Sequence, residues 1–383
     1  MTLRKWLTTG TALILFICLF TWWMRKAGDH PLENDELYSQ TSSIAHRSYV
    51  EMLSGRIDEG NNTPLFYVVQ KTIENVAAYQ TPPEWYKGQW NFRHHASQLF
   101  LRLFPVFCMA LGITLVFYYF AMHWHFFLGV YAVLVSLTSY MVWAYVCQAR
   151  PYALWFFLTV VQIVLLLRIL VVKPKEQGRF SLGLVVVNWL LAFTVIFSVV
   201  QNLAVCGVLW LWGRRRLRDH ILLLLVPFGI AMFYYVHSPK YHFWFAEGFD
   251  KLLGAALPID RLGTIMLALG VWAISKAGWF KRFFAPPQKT QVNVLSAGLL
   301  FGVIVYVGCL AVLYKFKIDA RGYMDGFQVS NRYFMVLAPT GIFLTSFAAY
   351  YLAVTPKGIV KNGAWILLAV LLLFRILRTS WFS

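Results

Sequence analysis

LTTGTALILFICLFTWWM, residues 7–24, is followed one short polar stretch later by Asn34-Asp35-Glu36-Leu37. An uncharged apolar run of this length crosses the hydrocarbon of a bilayer as a helix. Its end, Thr21-Trp22-Trp23-Met24-Arg25, is bulky and offers no small-residue cleavage site, so the run is expected to stay as a membrane anchor. The acidic pair that follows opens a long polar loop, residues 25–100. Nine of the 16 acidic residues fall in it: Asp29, Glu33, Asp35, Glu36, Glu51, Asp58, Glu59, Glu74 and Glu84. Most of these are expected only to keep a loop in water. Asp35 and Glu36 stand where the chain leaves the bilayer and can face both a lipid headgroup and a water-soluble substrate.

The rest of the chain repeats the apolar theme. Hydrophobic residues make up 59% and charged residues 13%, with a mean hydropathy of +0.60, against about 25% charged in soluble domains. Further spans are expected at 101–120, 126–147, 151–171, 181–197, 199–213, 220–237, 262–279, 293–314, 333–353 and 364–379, about 11 in all with the first. The weakest boundary lies between 181–197 and 199–213, because Ser198–Asn202 is a poor helix break. The expected architecture is therefore an all-α polytopic membrane protein, residues 1–383 forming a single domain. The net charge of +18 does not imply nucleic acid, because the cations punctuate apolar spans. Cys18, Cys108, Cys147, Cys206 and Cys309 lie in or beside apolar runs without a C-x-x-C pair, so neither disulfides nor zinc is indicated.

Within the loop, Leu37–Leu53 could form a surface helix. A second is expected from Thr63-Pro64, with Leu65, Val69, Ile73 and Val76 at helical spacing, suited to lying on the bilayer. Trp85, Tyr86, Trp90 and Phe92 resemble an interfacial aromatic belt. Lys173, Lys175, Arg179, Arg214-Arg215-Arg216, Arg218, Lys281-Arg282, Lys357 and Lys361 fall in alternate connections. With these inside, the N-terminus is cytoplasmic and the acidic loop extracytoplasmic. All acidic residues but Glu176 and Asp219 then lie outside.

Three features recur on that outer face: Asn34-Asp35-Glu36, Gln148-Ala149-Arg150-Pro151-Tyr152-Ala153-Leu154, and Ser330-Asn331-Arg332-Tyr333 with Pro339 beyond. One reading of an arginine at this level is that it simply snorkels to headgroups. Arg150 and Arg332 in one layer with Asp35 also suit a phosphate-bearing lipid, the arginines on the phosphate and the carboxylate on the nucleophile. His237, Lys240 and His242, near Trp244 and Glu247, could line an acceptor site or form a wet rim. His94-His95 reads as interfacial packing before a metal pair.

These segments, together with Thr63-Pro64-Leu65-Phe66-Tyr67 and Arg102-Leu103-Phe104-Pro105, occur in an order that resembles the polytopic GT-C glycosyltransferases, in the branch of protein O-mannosyltransferases and aminoarabinose transferases. The resemblance covers roughly residues 7–353. It implies a bacterial inner-membrane enzyme that takes a sugar from a polyprenyl-phosphate donor to a glycan, lipid or protein acceptor on the extracytoplasmic face, with inversion. It places the catalytic carboxylate at Asp35, with Glu36 beside it, and donor-phosphate contacts at Arg150, Arg332 and Lys240. Substrate contacts fall to Tyr152, Tyr333, His237 and His242. No cofactor is indicated, and a divalent metal stays open. The chain departs from the family at Asn61-Asn62-Thr63, where many relatives have histidine, and at Gln148, where an acidic residue is common. The runner-up is a transporter or flippase of lipid-linked saccharides, which would place ionisable residues in mid-bilayer; a GT-C-like protein that has lost catalysis is a third reading.

Overall fold

The computed structural model describes residues 3–57, 59, 62–82, 85–86, 95–172, 174–212, 221–237 and 335–354, and between 294 and 311 all but 295, 299, 306 and 310. Regular structure among the described residues is helical, apart from an isolated bridge between Asn62 and Val195. Three described helices are long and apolar enough to cross a membrane: α1 (Leu3–Asp29), α5 (His95–His123) and α8 (Tyr152–Val171). The expected spans at 262–279 and 364–379 lie outside the described residues.

Between α1 and α5, the segment read as one helix over Leu37–Leu53 is three pieces. They are α2 (Asn34–Tyr38), a π-helical stretch over Ser39–Ala45 and α3 (Tyr49–Leu53). Ser48 caps α3: its Oγ accepts from the Glu51 N–H at 3.2 Å, and the Glu51 carboxylate accepts from the Ser48 N–H at 2.8 Å. Helix α4 (Leu65–Val76) begins directly after Thr63-Pro64, as its turn chemistry predicts. Its buried side is Phe66, Tyr67, Gln70 and Glu74. Of the apolar stripe, Leu65, Val69 and Ile73 are partly buried and Val76 is 85% exposed.

The expected span at 126–147 is interrupted, giving α6 (Phe126–Leu137) and α7 (Tyr140–Tyr145). At the break the Thr138 hydroxyl donates to the Val135 carbonyl, a local bond that competes with helix continuation. After α8 come α9 (Pro174–Ala192) and α10 (Ser198–Leu211), and the uncertain break between them has a tertiary cause. The Thr63 N–H donates to the Thr194 carbonyl at 3.1 Å, the Leu65 N–H to Phe193 at 2.7 Å, and the Thr63 hydroxyl to Ala192 at 2.9 Å. The first loop thus satisfies carbonyls that a helix end leaves without partners. A π-helical stretch over Ile221–Leu225 leads into α11 (Val226–His237). Its loosened carbonyls are taken by Asn188 Nδ2 at Leu223 and Trp189 Nε1 at Leu222.

Helix α1 packs along α5, α5 against α6 and α8, and α8 against α9. Helix α12 (Leu337–Val354) lies on α6 and α8. An aromatic seam also joins it to the end of α5: Phe120 and, just beyond the helix, Trp124 meet Phe343, Phe347 and Tyr350 at ring separations of 4.8–5.4 Å. Gly129 brings α6 onto α5, since a Cβ there would stand 2.8 Å from the Phe117 carbonyl oxygen. On the open side of α1, Leu7, Leu13, Ile14 and Ile17 are exposed, while Leu19, Trp23 and Ala27 are buried.

Candidate functional site

The segments singled out in sequence meet at one end of the bundle, where α1 runs out and α8 begins. The two adjacent carboxylates of α2 have opposite surroundings. Glu36 is 1% exposed and receives four donors. Arg102 gives its Nε at 2.9 Å and an Nη at 2.6 Å, the Ala149 N–H comes at 2.6 Å and the Glu33 N–H at 2.8 Å. A carboxylate accepting this many bonds has its lone pairs filled. Arg102 is spent as completely, because its remaining N–H groups hold the carbonyls of Ala27, His30 and Pro31, where α1 ends. Glu36 is therefore the structural pin of the turn. Asp35 has its side chain half exposed, at the edge of an open depression of about 590 Å³ formed by Pro31–Asp35.

Arg150 approaches from the start of α8. One Nη donates to the Asp35 carbonyl at 2.8 Å and to Ser39 Oγ at 3.0 Å; the other donates to Glu59 at 3.0 Å and to the Tyr152 hydroxyl at 3.3 Å. The Asp35 carboxylate stands 3.9 Å away. Burial opposes the charge on Arg150, but Glu59, Tyr152, Tyr67 and Asp35 around it hold its pKa well above the usual arginine value. Ser39 Oγ contacts both the Asp35 carbonyl, at 2.9 Å, and Glu59. Asn62 Nδ2 links Glu59, at 3.3 Å, to the Tyr67 hydroxyl, at 3.2 Å. Burial, and then the charge of Glu59, push the Tyr67 phenol far up, so it stays neutral. Phe66 of the same motif stacks on Phe104 at 6.0 Å.

Four of the five segments flagged in sequence thus interlock: Asn34-Asp35-Glu36, Thr63–Tyr67, Arg102–Pro105 and Ala149–Leu154. Of the fifth, Arg332 and Tyr333 lie outside the described residues, as do Lys240 and His242. Arg150, expected on a donor phosphate, is engaged inside the protein. Tyr152, expected on substrate, is 2% exposed and sits beneath the Arg150 guanidinium. His237 ends α11 beside Gly55, its ring against Phe233 at 4.3 Å. His95 lies on the Gly28 carbonyl at 3.1 Å. Glu59 was read only as a loop carboxylate; the structure gives it a place inside the cluster, and nothing in its local sequence signals that burial. Glu33 contacts Gln148 at 3.0 Å, and burial followed by the charge of Glu36 raises its pKa above the usual carboxylate range. Among the described residues no group of three or more His, Cys, Asp and Glu is placed to hold a metal.

Fold and site together define a helical protein with membrane-capable helices and a charged cluster where they end. Comparison with known proteins finds no matching family, no matching curated protein and no matching solved structure.

Proposed function

We propose that the chain is an integral-membrane glycosyltransferase of the GT-C type, with about 11 spans, that moves a sugar from a polyprenyl-phosphate donor to an acceptor hydroxyl. The observation that carries this reading is the convergence of four distant motifs on the turn that holds Asp35, a half-exposed carboxylate beside the buried pairs Glu36–Arg102 and Glu59–Arg150. A base must reach substrate and be held in place; in support, the Asp35 side chain is half exposed and its backbone carbonyl accepts from Arg150 and Ser39. In the reaction the acceptor oxygen attacks the anomeric carbon while its proton passes to the Asp35 carboxylate. The bond from that carbon to the donor phosphate oxygen breaks, and polyprenyl phosphate leaves with the electron pair. Attack opposite the leaving group inverts the sugar. The cations assigned to the phosphate are Arg332 and Lys240.

Asp35→Asn keeps the shape of the side chain and removes its basicity. Transfer from a polyprenyl-phosphate sugar, in membranes matched for protein level, is expected to fall by about 10²–10⁴-fold with no loss of thermal stability. Wild-type transfer by this variant would overturn the reading.

A further inference from the structure

Helices α5 and α8 bring arginines to the acidic turn, and there the guanidinium groups are spent inside the protein. Arg102 gives its N–H groups to Glu36 and to three carbonyls at the end of α1, and Arg150 is held by Glu59, Ser39 and Tyr152. The far ends of the same two helices carry a third arginine in different surroundings. At about 1.5 Å per residue, Arg168 stands about 24 Å along α8 from Tyr152, and His123 about 32 Å along α5 from Arg102. Those lengths match a hydrocarbon core of about 30 Å. With the acidic turn at one boundary of the bilayer, Arg168 and His123 fall at the other.

Arg168 is half-buried there and held from two sides. One Nη donates to His123 Nδ1 at 3.3 Å, and the guanidinium carbon lies over the Phe180 ring of α9 at 5.5 Å. For Nδ1 to accept, the His123 ring is neutral with its proton on Nε2. The ring in turn lies against Tyr119 at 5.4 Å. A neutral imidazole and a phenyl face orient the guanidinium and leave its full charge in place. Among the described residues no carboxylate forms an ion pair with Arg168. Snorkelling accounts for a cation at this level. It does not account for a planar fork set in place by residues from two neighbouring helices. Such a fork, oriented and not neutralised, matches an anion that takes two parallel N–H bonds at once, and a phosphate does so.

We infer that Arg168, set between His123 of α5 and Phe180 of α9, is a binding site for a phosphate group at the bilayer boundary opposite the acidic turn. The inference goes beyond glycosyl transfer and rests only on α5 and α8 crossing a membrane. A phospholipid headgroup and a free phosphate offer the same chemistry to the fork.

The test is native mass spectrometry of the full chain in detergent, titrated with phosphatidylglycerol, with diacylglycerol as the matching lipid that lacks phosphate. Arg168→Gln should weaken the tightest phosphatidylglycerol site roughly tenfold, the loss expected for hydrogen bonds to a charged group, and leave diacylglycerol binding unchanged. Arg168→Lys keeps a cation that can snorkel but loses the fork, and should weaken the site several-fold. Should Arg168→Gln fail to accumulate, Phe180→Leu keeps the apolar packing, removes the ring face and should also weaken the site. Inorganic phosphate is the second probe. Lipid that stays bound in millimolar phosphate assigns the site to a headgroup; lipid displaced from the wild type by phosphate, but not from Arg168→Gln, assigns it to free phosphate. Phosphatidylglycerol binding that is unchanged in Arg168→Gln, or as tight in Arg168→Lys as in the wild type, overturns the inference. Lipid binding is read without glycosyl transfer, so failure of the enzymatic reading leaves this result standing.

Discussion

Among the described residues, the chain satisfies two of its buried polar clusters by opposite means. At the end of the bundle it uses full charges: Glu36 with Arg102, and Glu59 with Arg150. Among α8, α9 and α10 it uses only neutral groups. There Gln162 Nε2 donates to Asn188 Oδ1 at 2.8 Å and Asn202 Oδ1 at 2.9 Å, and Gln201 Nε2 to Gln162 Oε1 at 3.0 Å. Trp155 Nε1 donates to Gln201 Oε1 at 3.0 Å. Amides satisfy one another and carry no net charge into an apolar interior. Buried ions need a partner and several further hydrogen bonds before they are tolerated. The amide layer ties helices together; the ionic cluster also orients an exposed carboxylate.

If that contrast holds, the ionic cluster is the more fragile of the two when one partner is removed. Arg102→Met strands the Glu36 carboxylate and three carbonyls, and breaking a buried pair costs about 3–5 kcal/mol. The expected outcome is strongly reduced accumulation and a large fall in apparent melting temperature in detergent. Replacing both partners, Arg102→Met with Glu36→Met, should recover part of that loss. Gln162→Leu leaves Asn188 and Asn202 each short of a donor, and intramembrane hydrogen bonds average about 0.6 kcal/mol. A modest fall in melting temperature in the same detergent is expected, well short of that for Arg102→Met. Equal losses from the two variants would dissolve the contrast.

The smallest effect sharpens the comparison inside the ionic cluster. Burial, then the charge of Glu36, raise the folded-state pKa of Glu33, so the fold prefers its protonated form. That contribution is complete below the ordinary glutamate range and is lost as pH rises through the raised folded value. Glu33→Gln imitates the protonated form and still accepts from Gln148. It should unfold at a slightly higher temperature than wild type at neutral pH, and at the same temperature well below the carboxylate range. A melting curve measured at both pH values checks the sign.

Local pattern in the sequence revealed the helices and the segments that matter. Residues 7–24, 101–120 and 151–171 mark α1, α5 and α8, because long apolar runs need no partner to be recognised. Thr63-Pro64 marks the start of α4 for a similar local reason. The roles of Glu36 and Glu59 were not legible. Their partners stand 66 and 91 residues away, and an acidic residue in a polar loop looks the same whether it is solvated or buried. A break between α9 and α10 was expected at residue 198; its earlier start, after Ala192, was not legible, since Thr63 and Leu65 bind the carbonyls there from outside the segment. The continuous helix expected over Leu37–Leu53 failed because the π-helical stretch there answers to Arg150 and Lys71, not to its own apolar stripe.

The bond from the Ala149 N–H to Glu36 spans 113 residues, and that spacing sets a timetable. A ribosome adding about 5–20 residues per second reaches Ala149 roughly 6–23 s after Glu36. Arg102 follows Glu36 after 66 residues and supplies its ion partner, but the turn is closed only when Ala149 and Arg150 emerge, and Thr63 waits longer still for Ala192. The Asp35 turn is therefore completed late in biogenesis, by elements that emerge well after it. A nascent chain truncated before Ala149 would keep the Glu36–Arg102 pair but lack the bonds that Ala149 and Arg150 give this turn, so the order of synthesis itself delays its completion until the bundle around it exists.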